Sequence, residues 1–188
     1  MKLLEDRIKR DGRILDGNIL KVDSFLNHQT DPELMMEMGK DFAQHFRQKN
    51  ITKVLTLEVS GIAPAVMTAY VLNVPMVFAK KISSYTLSHD TYTGRVISYT
   101  KAKEYDIKVD RKFLSRDDNV LIIDDFLAKG QALKGLMDIV SQSGAKVAGV
   151  GIVIEKQFQE GGKKYREMGY DIYSLASIKE FKDGKVIF

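Results

Sequence analysis

Short apolar runs alternate along the chain with segments in which apolar residues recur at helical spacing. The run over residues 120–123 is the clearest. Four apolar and mostly β-branched residues in a row indicate a strand that is buried on both faces, as in parallel sheets. Similar patterns predict further strands over residues 54–57, 76–79 and 147–154.

Helices are predicted between these strands. Gly12 ends a charged, amphipathic helix over residues 2–11, and Asp31 and Pro32 supply the N-cap and first residue of the next helix. Two more helices are predicted over residues 63–72 and 131–143. The alternation of strands and helices predicts an α/β fold with a mainly parallel, doubly wound sheet.

Residues 83–112 interrupt this alternation. The segment is rich in Ser, Thr and Tyr, and its polarity alternates near residues 90–94 and 105–109, which predicts a long β-rich excursion. Long excursions often serve as lids, so we expect a flexible lid here. Near the end of the chain, Asp183 and Gly184 predict the turn of a hairpin.

Candidate chemistry lies at the carboxyl end of the strand over residues 120–123. Asp124 and Asp125 follow it, at the edge where open α/β sheets bind ligands, and a loop containing Gly130 then leads into a helix. Free N–H groups at a helix N-terminus favour a phosphate. Either acid alone is explained about equally well as a turn or capping residue. The pair also suits a Mg²⁺ site or a phospho-acceptor pocket.

The whole run over residues 120–132, VLIIDDFLAKGQA, closely resembles the phosphoribosyl-pyrophosphate (PRPP) motif of the type I phosphoribosyltransferases. The resemblance implies that Asp124 and Asp125 hold the ribose hydroxyls and are the catalytic residues. It implies that backbone amides of the loop surround the 5′-phosphate, the loop being Ala128, Lys129, Gly130, Gln131 and Ala132. The family pattern has Thr in place of Lys129 and Ala132, so hydroxyl contacts are lost there, and Lys129 is expected to compensate as a point charge.

The resemblance extends over nearly the whole chain through residues 20–29, 60–68 and 149–156. These segments are similar to those of the purine-specific branch of the family and, within it, to enzymes that use xanthine. The implied architecture is one phosphoribosyltransferase domain over residues 1–188. It would have a small hood from about residues 1–30 and 156–188 and the lid over about 83–112.

The same resemblance assigns the remaining substrate contacts. Three residues are expected at the purine: Leu20, Asn27 and Lys156. Three are expected at the pyrophosphate end of PRPP: Ser60, Gly61 and Lys80. Xanthine carries a carbonyl at C2 and is more acidic than other purines, so a cationic Lys156 and the Asn27 amide donor suit it. Taken singly, Lys80 is equally typical of a solvated surface lysine. Without the resemblance, Lys156 is better explained as an exposed lysine at a strand end, and Asn27 as a turn residue.

The implied reaction displaces pyrophosphate from C1′ of PRPP by a purine nitrogen and gives xanthosine 5′-monophosphate. Such a reaction needs positioning and electrostatic stabilisation, and no covalent nucleophile. Mg²⁺ would arrive with PRPP and keep several waters, so a dedicated protein metal site is not expected. The family resemblance also implies a homodimer.

Composition indicates the number of domains, the cellular location and the class of partner to expect. A chain of 188 residues suits one domain, and the absence of Cys suits a reducing cytosol. No apolar stretch is long enough to span a bilayer, so we expect a cytoplasmic protein without membrane contact. The formal net charge of +4 invites a nucleic-acid partner, but the basic residues are scattered among acids, which disfavours one.

One alternative remains open, because a fold alone does not define function. A regulatory protein of the same fold could bind RNA or DNA, with PRPP or a nucleotide as effector. The DNA-binding version usually needs an additional winged-helix domain, for which 188 residues leave no room. The scattered charge disfavours the RNA-binding version, and the retained acids and hood residues favour an enzyme of purine salvage.

Overall fold

A computed structural model of the chain describes residues 1–15, 19–81, 90–98 and 103–188. Within these ranges, no helix is both long and apolar enough to cross a membrane. The helices and strands are, in chain order, α1 (Lys2–Asp11), β1 (Arg13–Leu15), β2 (Ile19–Lys21), a π-helical turn (Asp23–Asn27), α2 (Pro32–His45), β3 (Lys53–Leu57), α3 (Ile62–Leu72), β4 (Met76–Lys81), β5 (Thr91–Ser98), β6 (Lys103–Asp110), a 3₁₀ turn (Arg111–Phe113), β7 (Asn119–Leu127), α4 (Gln131–Ser143), β8 (Lys146–Lys156), α5 (Glu160–Glu167), β9 (Ile172–Ile178), β10 (Glu180–Lys182) and β11 (Lys185–Ile187).

The central sheet has seven strands among the described residues, in the order β5-β6-β4-β3-β7-β8-β9. The five strands from β4 to β9 in this order are parallel, whereas β6 pairs antiparallel with both β4 and β5. Strand β3 therefore lies between β4 and β7, and it pairs Lys53 with Val120. The predicted α/β fold with a mainly parallel, doubly wound sheet is confirmed.

Strand β7 shows how the sheet separates two layers of core. Leu121 and Ile123 join the hydrophobic cluster that contains Phe42 of α2. Ile122, on the opposite side of the strand, joins the cluster that contains Leu136 of α4. All five side chains are fully buried. This burial on both faces is the reason why the strand lacks the polar alternation of a half-exposed strand.

The predicted excursion adds β5 and β6 to the sheet edge beside β4. Val96 of β5 and Ile107 of β6 are buried in the cluster that includes α4. Gly94 of β5 approaches Gly135 of α4 so closely that a Cβ at Gly94 would overlap the Gly135 carbonyl. These strands are thus packed against the core. Part of the predicted lid over residues 83–112 lies outside the described residues, and its movement stays a prediction.

The two ends of the chain meet beside the main sheet. Leu4 and Ile8 of α1 share one hydrophobic cluster with Leu20 of the β1–β2 hairpin and with Val186 of the β10–β11 hairpin. The latter hairpin turns at Asp183 and Gly184 as predicted, with φ angles of 50° and 70°. The hood and its place in a single domain over residues 1–188 stay predictions.

Candidate active site

The two acids belong to β7 itself, because the strand continues beyond its predicted end to Leu127. Asp124 is only 4% exposed. Its Oδ1 accepts a hydrogen bond from the Asp125 backbone N–H at 3.1 Å, and Asp125 Oδ1 accepts one from the Phe126 N–H at 3.0 Å. Both carboxylates are thus oriented by the backbone of a central strand.

Burial disfavours the ionised form of both carboxyl groups. Burial raises the pKa of Asp124 well above its usual range, and the charge of Asp125 raises it further, whereas Lys81 opposes the shift. Burial also raises the pKa of Asp125, although hydrogen bonds from the Phe126 N–H and the Ser60 hydroxyl counteract it. A ligand that brings hydrogen-bond donors or positive charge would relieve this cost, so the pair is suited to a polyol or a cation.

The loop between β3 and α3 approaches the acids closely. A Cβ at Gly61 would overlap Thr56 Oγ1 and lie 3.4 Å from Asp124 Oδ1. Gly61 has an ordinary φ of −71°, so the position requires glycine for space and not for conformation. Thr56 is fully buried, and its hydroxyl has no hydrogen-bond partner among the described residues. Ser60 and Gly61, which the sequence assigned to pyrophosphate, thus lie beside Asp124 and Asp125.

The two lysines at the end of β4 occupy different surroundings. Strand β4 extends to Lys81, two residues beyond its predicted end, and successive side chains of a strand point to opposite faces. Lys81 Nζ lies 5.3 Å from the centroid of the Tyr105 ring, and its charge acts on Asp124. Lys80 lines a separate cavity of about 320 Å³ with Phe78 and Lys108. The structure therefore places Lys81 beside the acids and Lys80 in another cavity.

The predicted phosphate loop has the backbone that an anion site requires. Gly130 is left-handed, with φ 77°, and it precedes α4 as its N-cap. The N–H groups of the first helical turn have no partners within the helix and point toward the loop. The five predicted loop residues all line one cavity of about 440 Å³: Ala128, Lys129, Gly130, Gln131 and Ala132.

The same cavity contains Lys156 at the end of β8. Lys156 is half-buried, and this burial lowers its pKa. Its Nζ lies 5.8 Å from the centroid of the Phe181 ring. The other two predicted purine residues do not line this cavity. Asn27 is exposed at the end of the π-helical turn, whereas Leu20 is 7% exposed and packs its side chain into the hydrophobic cluster that contains Leu4 of α1.

Two further cavity residues were not singled out from the sequence. Tyr105 of β6 lines the cavity, and burial together with the charge of Asp124 raises its pKa. Gln159, before α5, lines the same cavity. Continuing the strand alternation beyond Ala79 could have indicated that Lys81 points to the side of the acids. No local sequence pattern indicates that Tyr105 and Gln159 line the cavity.

Metal binding is limited by the number of anionic side chains. The described ranges contain no group of three or more His, Asp or Glu side chains arranged to hold a metal ion. Asp124 and Asp125 offer oxygen donors to a cation that brings its other ligands with it. Mg²⁺ binds in this manner when it keeps several waters and substrate oxygens.

Comparison with solved structures agrees with this architecture. Adenine phosphoribosyltransferase from Rhodothermus marinus superimposes with a TM-score of 0.76 at 19% identity, covering 95% of this chain and 100% of that chain. The enzyme from Giardia lamblia, complexed with 9-deazaadenine, gives a TM-score of 0.76 at 21% identity and covers 93% and 97%. At such low identity these similarities establish the fold alone.

Sequence comparison identifies the family. The phosphoribosyl transferase domain family matches residues 26–183. Xanthine phosphoribosyltransferase of Levilactobacillus brevis is 56% identical over 188 residues, which cover 100% of this chain and 98% of that protein. Xanthine phosphoribosyltransferase of Bacillus cytotoxicus is 54% identical, with 100% and 95% covered. The chain therefore belongs to the phosphoribosyltransferase family, within its group of xanthine phosphoribosyltransferases.

Proposed function

We propose that this protein is a purine-salvage enzyme that transfers the 5-phosphoribosyl group from PRPP to xanthine, giving xanthosine 5′-monophosphate and pyrophosphate. The observation that carries the proposal is the cavity in which the loop over residues 128–132 faces Lys156, directly after the paired acids of β7. The relatives named for xanthine, at 54–56% identity, support the choice of base.

The ribose 5-phosphate part of PRPP is bound along β7 and the start of α4. Backbone N–H groups around Gly130 hold the 5′-phosphate at the positive end of the helix. Asp124 and Asp125 accept hydrogen bonds from the ribose hydroxyls, and these donors offset the cost of two buried carboxylates. The acids thereby fix C1′ where the purine nitrogen attacks and stabilise the positive charge that develops on the ribose.

The pyrophosphate leaves toward the loop over residues 58–61. Gly61 permits close approach of the backbone, and Lys81 supplies positive charge on the side of the acids. Lys81 therefore takes the role that the sequence suggested for Lys80. Mg²⁺ bound to PRPP would neutralise charge on the leaving group, with substrate oxygens, water and the neighbouring acids as its ligands.

Lys156 and Asn27 recognise the polar edge of xanthine. Lys156 presents a half-buried cation to the carbonyl-rich base, and Asn27 presents an amide donor from the hood. The side chain of Leu20 is buried in the hydrophobic cluster that contains Leu4 and Ile8 of α1, so its contact with the purine is made through backbone atoms.

Lys156→Met is expected to lower kcat/KM for xanthine by about 10–100-fold while affecting hypoxanthine much less, because a charge-assisted hydrogen bond is worth about 1.5–3 kcal/mol. Steady-state kinetics with each base measures the ratio. Lys179→Met, at the exposed end of β9, is the matched control. An equal loss with every purine would reject Lys156 as a specificity residue.

The proposal includes a homodimer formed through α3. This helix is apolar on nearly all sides, although its outer side chains Val66, Tyr70 and Val71 are 41%, 74% and 39% exposed. A helix that is apolar all round is normally buried, so a second copy of the chain is the expected cover. Val59, in the loop that leads into α3, is also exposed, at 72%. An interface that includes Val59 would lie beside the loop over residues 58–61.

Tyr70→Asp is expected to convert the dimer into a monomer and to lower activity, because a carboxylate would be buried without a partner. Sedimentation velocity at micromolar protein measures the change. Leu3→Asp, which alters an exposed apolar residue on α1, should leave the dimer intact. A monomeric native protein, or an unchanged dimer in the Tyr70 variant, would contradict the assignment.

The decisive test is nucleotide formation from PRPP and Mg²⁺ with xanthine, guanine, hypoxanthine, adenine and uracil in parallel. Fastest turnover with xanthine is the expected result. Preference for another base would retain the PRPP site but reject the purine assignments. Binding of PRPP without turnover of any base would overturn the enzyme proposal.

The proposal also includes a cytoplasmic location, which cell fractionation tests.

A further inference from the structure

Helix α5, which the sequence did not predict, packs directly on the phosphate loop. The Gly161 backbone N–H donates to the Ala128 carbonyl at 3.0 Å. A Cβ at Gly161 would overlap that carbonyl and lie 2.8 Å from the Gly130 backbone nitrogen. The first turn of α5 is therefore fitted to the loop so tightly that only glycine is accommodated.

Tyr165 makes the second contact between α5 and this loop. Its side chain is 4% exposed, and its hydroxyl donates to the Gly130 carbonyl at 3.2 Å. The ring lies 2.7 Å from the position that a Cβ at Gly130 would occupy. Burial raises the pKa of Tyr165 to about 12, so the hydroxyl remains a donor at neutral pH. Tyr165 thus holds the one left-handed residue on which the loop depends.

The far end of α5 is fixed to the strand that carries Lys156. Arg166 donates two hydrogen bonds to Glu155, each of 2.7 Å, and the Ser174 hydroxyl donates to the same carboxylate. Glu155 is 1% exposed and immediately precedes Lys156. A paired, bidentate carboxylate in such a site has a fixed orientation. One helix therefore contacts both the phosphate loop and the residue that precedes Lys156 in β8.

We propose that Tyr165 is a positioning residue for the 5′-phosphate, and that α5 sets the distance between the phosphate loop and Lys156. The inference rests on the proposed function, because it assigns the phosphate of PRPP to this loop. Tyr165 is too deeply enclosed to touch the substrate itself. It acts through the Gly130 carbonyl, whose orientation determines where the neighbouring backbone N–H groups point.

Tyr165→Phe tests this role because it keeps the ring and removes only the hydroxyl. We expect KM for PRPP to rise about three- to tenfold, the effect of one hydrogen bond, with KM for xanthine unchanged. The Kd for ribose 5-phosphate, measured by calorimetry, should rise by the same factor. Tyr170→Phe is the matched control, since its ring packs edge-on against Tyr165 at 6.4 Å between centroids.

Gly161→Ala provides a second, stronger test, because the added methyl group displaces the loop backbone. It should weaken ribose 5-phosphate binding more than Tyr165→Phe does. Unchanged KM for PRPP and unchanged ribose 5-phosphate affinity in the Tyr165 variant, or equal increases for PRPP and xanthine, would overturn the inference. Native binding of ribose 5-phosphate without transfer to any base would reject the proposed function alone. Absence of that binding in the native protein would reject both.

Discussion

Asp124→Asn is expected to abolish most activity and at the same time to stabilise the protein. Loss of charge-assisted hydrogen bonds to the ribose, worth about 1.5–3 kcal/mol each, should lower kcat/KM about 100-fold. Burial and the adjacent Asp125 raise the pKa of Asp124 in the fold, so its contribution to stability is full in acid and is lost as pH rises toward the folded pKa. The neutral amide avoids that loss, and Asp125→Asn should act similarly.

The stability gain is measured as Tm at two pH values. Relief of about 1 kcal/mol raises Tm by about 2–4 °C in a chain of this size, and the difference between variant and native protein should be larger at pH 8 than at pH 5. A lower Tm at pH 8, or native activity, would contradict the assignment of Asp124.

Asp118, near the opposite end of β7, is a control residue because its pKa is shifted in the opposite direction to that of Asp124. Burial alone would raise the pKa of Asp118, but hydrogen bonds from the Ser115 N–H, Lys53 and Thr52 hold it below its usual value. Such a carboxylate stabilises the fold above the unfolded pKa, and this contribution is lost as pH falls through the folded pKa. Asp118→Asn should therefore lower Tm at pH 7 without changing KM for PRPP.

Gly61→Ala is expected to lower kcat/KM about 100-fold, because a displacement of about 1 Å in a substrate-positioning segment has effects of that size. The added Cβ would overlap Thr56 Oγ1, so the loop over residues 58–61 must move away from Thr56 and thereby change its position relative to Asp124. Overpacking should also cost about 1–3 kcal/mol of stability. Steady-state kinetics and thermal unfolding measure both effects, and KM for PRPP should change more than KM for xanthine.

A second substitution identifies the cause of this effect. Thr56→Ala removes the hydroxyl that the new methyl group would meet, and this hydroxyl has no partner among the described residues. The double variant Gly61→Ala/Thr56→Ala should recover a large part of the activity lost in Gly61→Ala. Additive losses in the double variant would show that steric overlap with Thr56 is not responsible.

The fold was predictable because its signals are local. Asp31 caps α2 by accepting the Leu34 N–H at 3.1 Å, as its sequence position before Pro32 indicated. Gly144 ends α4 with φ 75°, directly after the predicted end of this helix at residue 143. The PRPP motif belongs to this class too, since the strand, the acids and the loop are consecutive in the sequence.

The features of the fold and the site that the sequence did not predict depend on contacts between segments that are distant in the sequence. Helix α5 contains Gly161 and Gly162 in its first turn, which disfavour an isolated helix, and it forms because it packs against the phosphate loop and Glu155. Strand β4 ends at Lys81, two residues beyond its predicted end, because element boundaries are poorly determined by sequence pattern. The local sequence likewise says nothing of Tyr105 lying near Asp124.

The place of β3 in the middle of the sheet has a consequence for biosynthesis. Its partner on one side, β4, follows after a single helix, but its other partner, β7, is synthesised only after the whole excursion through β5 and β6. Until then one edge of β3 has unpaired backbone N–H and C=O groups. Unpaired strand edges promote aggregation, so the pairing of β7 with β3 removes this hazard only after most of the central sheet has been synthesised.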